Sequence, residues 1–181
     1  MGIEFKILDF IQTLRTPVLD KIMVFITYLG NGGIIWIAVC LTLLCIKRTR
    51  RTGLIVFLSL AADVILCNLI LKNAVARIRP CDINTHIMLL VSRPMDYSFP
   101  SGHTAASFAT VTALFSAKEK KLALMLLPLS FLIAFSRLYL YVHFPTDVLG
   151  GILVGILSGV IGFNVLKVAE KCFLKRNRQD I

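Results

Sequence analysis

The stretch IMVFITYLGNGGIIWIAVCLTLLCI, residues 22–46, runs for 25 residues without a charged side chain. About twenty apolar residues are enough to cross the hydrocarbon core of a bilayer as a helix. This one stretch therefore puts the chain in a membrane. Gly30-Asn31-Gly32-Gly33 interrupts it, which predicts a single span with a break at the glycines. The composition agrees: of 181 residues, 57% are hydrophobic and 17% charged, and the mean hydropathy is +0.81. A soluble domain carries about 25% charged residues.

Upstream, residues 3–14 set Ile3, Ile7, Leu8, Ile11 and Leu14 near one helical face, with Glu4, Lys6, Asp9 and Gln12 elsewhere. That pattern predicts an amphipathic interfacial helix, ended by Thr16-Pro17. Glu4, Lys6 and Asp9 fall where the apolar part of a secretory signal would begin, so insertion is expected to rely on uncleaved spans. Downstream, Lys47-Arg48-Thr49-Arg50-Arg51 makes a basic loop. Further spans are expected at about 54–76, 104–117, 122–142 and 147–168, the second of these short for a full crossing. The expected fold class is all-α: one integral-membrane helix bundle over 1–181. It has about five transmembrane spans plus the N-terminal helix, or six if that region also spans.

The formal net charge is +10. The basic residues cluster beside apolar runs, so they point to membrane topology and anionic lipid, and no nucleic acid is expected as a partner. With five spans, the Lys47 loop, the Lys118 turn and the tail from Lys167 share one side, and together they hold 12 of the 20 lysines and arginines. That side is expected to be cytoplasmic. The opposite side gathers the ends of spans two and four and the starts of spans three and five.

Three sequence patterns fall at those ends. They are Lys72-(six residues)-Arg79-Pro80, Pro100-Ser101-Gly102-His103, and Ser136-Arg137-(five residues)-His143-(three residues)-Asp147. A phosphate monoester or diphosphate carries about two negative charges or more, and its hydrolysis spreads charge over the equatorial oxygens. Lys72, Arg79 and Arg137 supply three cations; the arginine fork fits phosphate bidentately and lysine acts as a point charge. Ser101 and Gly102 open a helix whose N-terminus is a natural anion site, with Ser101 placed to cap it and Gly102 to admit a close approach. Two histidines suit a two-step reaction, one attacking phosphorus and the other moving the proton. Asp147, beyond Pro145, is placed to hold the His143 ring.

In order and spacing, these segments resemble the three signature motifs of the type 2 phosphatidic acid phosphatase family, whose superfamily also takes in bacterial acid phosphatases and vanadium haloperoxidases. The resemblance spans residues 72–147. It implies a membrane lipid phosphatase working through a phosphohistidine, with His143 as nucleophile, Asp147 as its orienter, and His103 as general acid and then base. Lys72, Arg79, Ser101, Gly102 and Arg137 would bind the phosphate. No metal and no cofactor are expected. Among substrates of bacterial members, undecaprenyl diphosphate at the outer leaflet is the first expectation and phosphatidylglycerol phosphate the second, ahead of other lipid phosphates. A lipid phosphotransferase would use the same intermediate and differ in the acceptor.

Other residues carry weaker signals. Asp63 lies inside a span; nine residues before Lys72, it should sit about 180° around a regular helix from it, which favours a structural role. Asn68 is expected to share the Lys72 face. Gly151, Gly155 and Gly159 predict close helix packing within the monomer. His86 matches no motif. The five cysteines show neither disulfide nor zinc spacing. The row Ile87 to Val91 suits either a lipid-dipping loop or a cap on the bundle.

Overall fold

The computed structural model describes residues 2–177, which are mostly helical, with no strand among them. Arg178, counted above in the basic tail, lies outside them. Helix α1 (Ile3–Gln12) is the amphipathic segment, with Leu8 and Ile11 buried. Helix α2 (Pro17–Gly30) begins where Pro17 pre-sets the first turn and the Thr16 side chain accepts from Leu19 N. A short 3₁₀ turn, Asn31–Gly33, leads into α3 (Ile34–Cys45). Gly32 and Gly33 have φ of 58° and 71°, the left-handed region that glycine enters at little cost. The predicted break in the first span is this turn.

Helix α4 (Arg50–Asp63) passes into a π-helical segment, Val64–Leu71, and then α5 (Lys72–Val75). Ala76, at φ 47°, ends that run. After the one-turn α6 (Pro80–Ile83) the chain is irregular up to α7 (Gly102–Ser116); α8 (Lys120–Tyr139) and α9 (Pro145–Asn177) complete the bundle. Among the described residues, four stretches are long and apolar enough to cross a membrane: Pro17–Cys45, Arg50–Ile83, Lys120–Tyr139 and Pro145–Lys175. Helix α7 has 15 residues, about 22 Å against a hydrocarbon core of about 30 Å. It is the central helix, burying residues on all sides, including Ala105, Phe108, Ala109, Val111 and Leu114.

The glycine stripe of α9 faces α7. A Cβ on Gly155 would sit 2.4 Å from Ala105 O, and one on Gly159 would sit 2.5 Å from Thr112 Cβ. No side chain fits there, so the stripe packs within the monomer. The outer surfaces of the long helices expose Phe25, Ile34, Leu69 and Leu153, each more than half accessible, as a lipid-facing girdle would. At one end of the bundle Arg51 pairs with Glu170 at 2.8 Å. There Leu43, Ile55, Leu114 and Ala123 also share a core cluster, so the three basic segments lie together. Lys72, at the far end of the α4–α5 run, marks the opposite end.

Candidate active site

The three patterns meet at that opposite end. Lys72, Arg79 and Arg137 are all buried, at 8%, 2% and 5% accessibility. They are not side chains reaching out to water from span ends. Burying cations is costly unless anions or acceptors surround them, and the partners are specific. Arg79 Nε donates to Asp96 O at 2.8 Å, Nη1 to Val142 O at 2.7 Å, and Nη2 to Tyr97 O at 3.2 Å. Its Nη2 also pairs with Asp96 Oδ1 at 2.6 Å, and the other oxygen of Asp96 pairs with Lys72 Nζ. Burial pushes the Asp96 carboxyl up, but the hydrogen bonds and charges of Lys72 and Arg79 outweigh it and hold the pKa down to about 2. Arg137 reaches across to Thr27 Oγ1 on α2 and leaves its buried Nε without a partner.

His143 sits in the turn between α8 and α9, 1% accessible. Its Nε2 is 3.1 Å from Arg79 Nη1. A guanidinium has donors only, so Nε2 accepts and the ring proton is on Nδ1. Nδ1 faces Asp147 Oδ2 at 3.6 Å. That is beyond a hydrogen bond, and a closure of about half an ångström makes it one. Burial lowers the His143 pKa well below the ordinary histidine range; Asp147 works against this, and the charges of Arg79 and Arg137 add to it. The resting ring is therefore neutral, with the Nε2 lone pair turned toward the cations.

Asp147 is held by several donors. Its Oδ2 accepts from Ser98 Oγ and from Phe144 N at 2.8 Å. Its Oδ1 accepts from Arg77 Nη1 at 2.6 Å. Arg77 continues to Glu4 Oε2 at 2.6 Å and stacks its guanidinium 4.1 Å over the Phe144 ring. The sequence reading passed over Arg77, Ser98, Asp96 and Glu4. Arg77 had one signal, a second arginine inside the first motif.

Ser101 stands at the N-cap of α7, but its side chain makes no capping bond, contrary to expectation. It is turned inward, where its Oγ accepts from Thr104 Oγ1 at 3.0 Å, and its N–H donates to Asp147 O at 3.0 Å. The first-turn N–H groups of α7, from Gly102 on, have no partner in their own helix. A Cβ on Gly102 would lie 3.2 Å from Asn68 Oδ1 and 3.8 Å from Lys72 Nζ, so this helix start abuts the lysine. His103 Nε2 is 2.8 Å from Asn31 Oδ1 in the glycine turn, and its ring lies against the bare backbone of Gly30.

Three cavities meet around these groups. One of about 300 Å³ is lined by Asp63, Asn68, Lys72, Asp96, Gly102 and His103, among others. A second, of about 220 Å³, joins His103 to Arg137 and Thr27. A third, of about 410 Å³, lies beyond Lys72 and Asp96, against Asn73, Met95 and Tyr97. Asp63 corrects an expectation. It lines the same cavity as Lys72 because Val64–Leu71 is π-helical. The wider turn advances less per residue than an α-helix, and it brings Asp63 round from the opposite face. Asn68 lines the cavity with Lys72, as expected. His86 is exposed and plays no part here. Of the apolar row, Leu89, Leu90 and Val91 pack onto the core while Met88 is 78% exposed; the row caps the bundle. All five cysteines are unpaired.

A sequence model of the PAP2 superfamily matches residues 52–171. The chain belongs to the PAP2 superfamily. Its relatives include an undecaprenyl-diphosphatase of Sulfolobus acidocaldarius, 30% identical over 155 residues, covering 86% of this chain and 74% of that protein. Phosphatidylglycerophosphatase B of Bacillus subtilis is 34% identical over 178 residues, covering 92% and 82%. Among solved structures, LpxE of Aquifex aeolicus superposes with a TM-score of 0.76 at 28% identity, covering 91% of this chain and 96% of that one. As a PAP2 member with long apolar helices, the protein is a multi-pass membrane lipid phosphatase.

Proposed function

We propose that this PAP2 phosphatase removes the terminal phosphate of a lipid diphosphate at the extracytoplasmic face, with undecaprenyl diphosphate as preferred substrate. The carrying observation is the line from Asp147 through His143 to Arg79, in which the histidine lone pair points at a buried guanidinium. A phosphoryl group held by Lys72, Arg79, Arg137 and the α7 N-terminus would lie against Nε2. Attack there forms a P–N bond as the P–O bond to the leaving group breaks. The leaving oxygen takes a proton from His103, whose imidazolium is favoured by the bound phosphate beside it. His103 then takes a proton from water, the water oxygen attacks phosphorus, and the P–N bond breaks to release phosphate. Asp147 stabilises the charge that His143 acquires.

Three cations suit a diphosphate better than a monoester. The outward-facing apolar girdle lets a long isoprenoid chain gain by burial in the bilayer. The basic end of the bundle supports this sidedness, because the positive-inside rule assigns such an end to the cytoplasm. A phosphatidylglycerol phosphate substrate is the second reading, favoured by the 34% identity to the Bacillus subtilis enzyme. Purified protein assayed in detergent against a panel of lipid phosphates decides between them. Higher kcat/KM for polyprenyl diphosphates is expected. A tenfold or greater preference for phosphatidylglycerol phosphate would replace the first reading with the second.

A further inference from the structure

The place between Lys72 and Arg79 is already taken by a carboxylate. Asp96 sets one oxygen on each cation, the spread that two oxygens of a phosphate would adopt. It also stands between the 300 Å³ inner cavity and the 410 Å³ outer one, lining both together with Lys72. The side chain is 53% accessible, and its neighbour Met95 is fully exposed. Little packing therefore opposes its leaving. The backbone, by contrast, is fixed: Arg79 holds the carbonyls of Asp96, Tyr97 and Val142. A rotation of the carboxylate alone would uncover Lys72 Nζ and Arg79 Nη2 and join the two cavities, with Arg79 kept in place.

Any phosphate that enters must compete with this internal anion. A bilayer is crowded with phosphodiester headgroups, each carrying a single charge, and they reach the same surface as the substrate. A terminal phosphate near neutral pH carries about two. Asp96 brings one charge, shared over its two oxygens, to the two cations; a phosphodiester gains nothing by displacing it, whereas a terminal phosphate brings one charge more. We propose that Asp96 is a specificity-determining residue, a displaceable counter-ion that admits terminal phosphates to the site and keeps phosphodiester lipids out. It rests on the reading of Lys72 and Arg79 as phosphate-binding groups.

The test compares wild type with Asp96→Asn in mixed micelles of rising phosphatidylglycerol content, together with titrations of orthophosphate into the purified proteins. In wild type, added phosphatidylglycerol should leave turnover unchanged. In D96N it should inhibit competitively, raising KM by about fivefold with kcat retained, the scale expected on removing a half-exposed competing pair. Orthophosphate should bind D96N tighter by a similar factor. A D96N enzyme still indifferent to phosphatidylglycerol, or one that lost kcat at constant KM, would overturn the proposal. A structure of the wild-type protein with vanadate needs no variant to fold. The Asp96 carboxylate is expected off both cations there, and a vanadate-filled site with Asp96 still on Lys72 and Arg79 would equally overturn it. Wild-type failure to hydrolyse any lipid phosphate would sink the proposed function, whereas the orthophosphate titrations would still judge Asp96.

Discussion

Gly30→Ala is a small change with a calculable consequence at the site. The Cβ it adds would stand 2.7 Å from His103 Cδ2 and 3.1 Å from Ile133 Cγ2. Ordinary contact begins at 3.4 Å, so the imidazole must give way by about 0.7 Å, the difference between 3.4 and 2.7. The atom struck is bonded to Nε2, which holds Asn31 Oδ1 at 2.8 Å, and the shift breaks that bond. Misplacing a reacting group by about 1 Å costs on the order of 10²-fold in rate. G30A should therefore lower kcat by roughly 10- to 100-fold, with KM nearly unchanged because the cations are untouched. The assay is phosphate release by purified protein at saturating lipid diphosphate, with thermal unfolding as a check on the fold. Wild-type kcat in a folded G30A protein would refute the placement of His103 in the chemistry.

Arg77→Gln removes the donor that ties Asp147 to Glu4. It should cut kcat about tenfold, short of the 10²–10⁴-fold cost of losing the acid–base group itself, and steady-state kinetics measures it. Activity should survive a strong chelator in full and be blocked by vanadate, because side chains supply the positive charge; strict dependence on added magnesium in a phosphate-release assay would count against this. Sidedness is read by cysteine labelling in intact cells. Cys81 is 1% accessible and unsuitable, whereas Met88→Cys on the capping row should react with an impermeant reagent and Cys172 only after lysis. The reverse pattern would put the site on the cytoplasmic face.

The sequence made the membrane setting, the helix order and the meeting of the three motifs legible, because apolar runs, charge clusters and motif spacing are local signals. Thr16-Pro17 is legible in the sequence as the end of the first helix; that it also starts α2, with Thr16 as the cap, is seen only in the structure. Ser101 is legible as a helix cap and does something else, since Thr104 and Asp147 draw its groups inward. Asp63 was misplaced because a fixed 100° per residue cannot foresee a π-helical segment, which tertiary packing selects. Asp96 lies 24 residues from Lys72 in an irregular stretch, where no periodicity tells which way a side chain turns. Arg77 and Arg79 are only two residues apart and serve different anions. The left-handed turn at Ala76 that leads into them is one that alanine gives no cause to expect.

The central claim is that His143 takes the phosphoryl group through Nε2. It is tested by mixing the enzyme with a diphosphate lipid labelled in its terminal phosphate, quenching in alkali within the first turnover, and mapping the labelled peptide by mass spectrometry. The account predicts alkali-stable phosphate on His143 in the wild-type protein, and none when His143 is replaced. Phosphate on any other residue, or turnover by a folded His143→Ala protein at near wild-type rate, would contradict it.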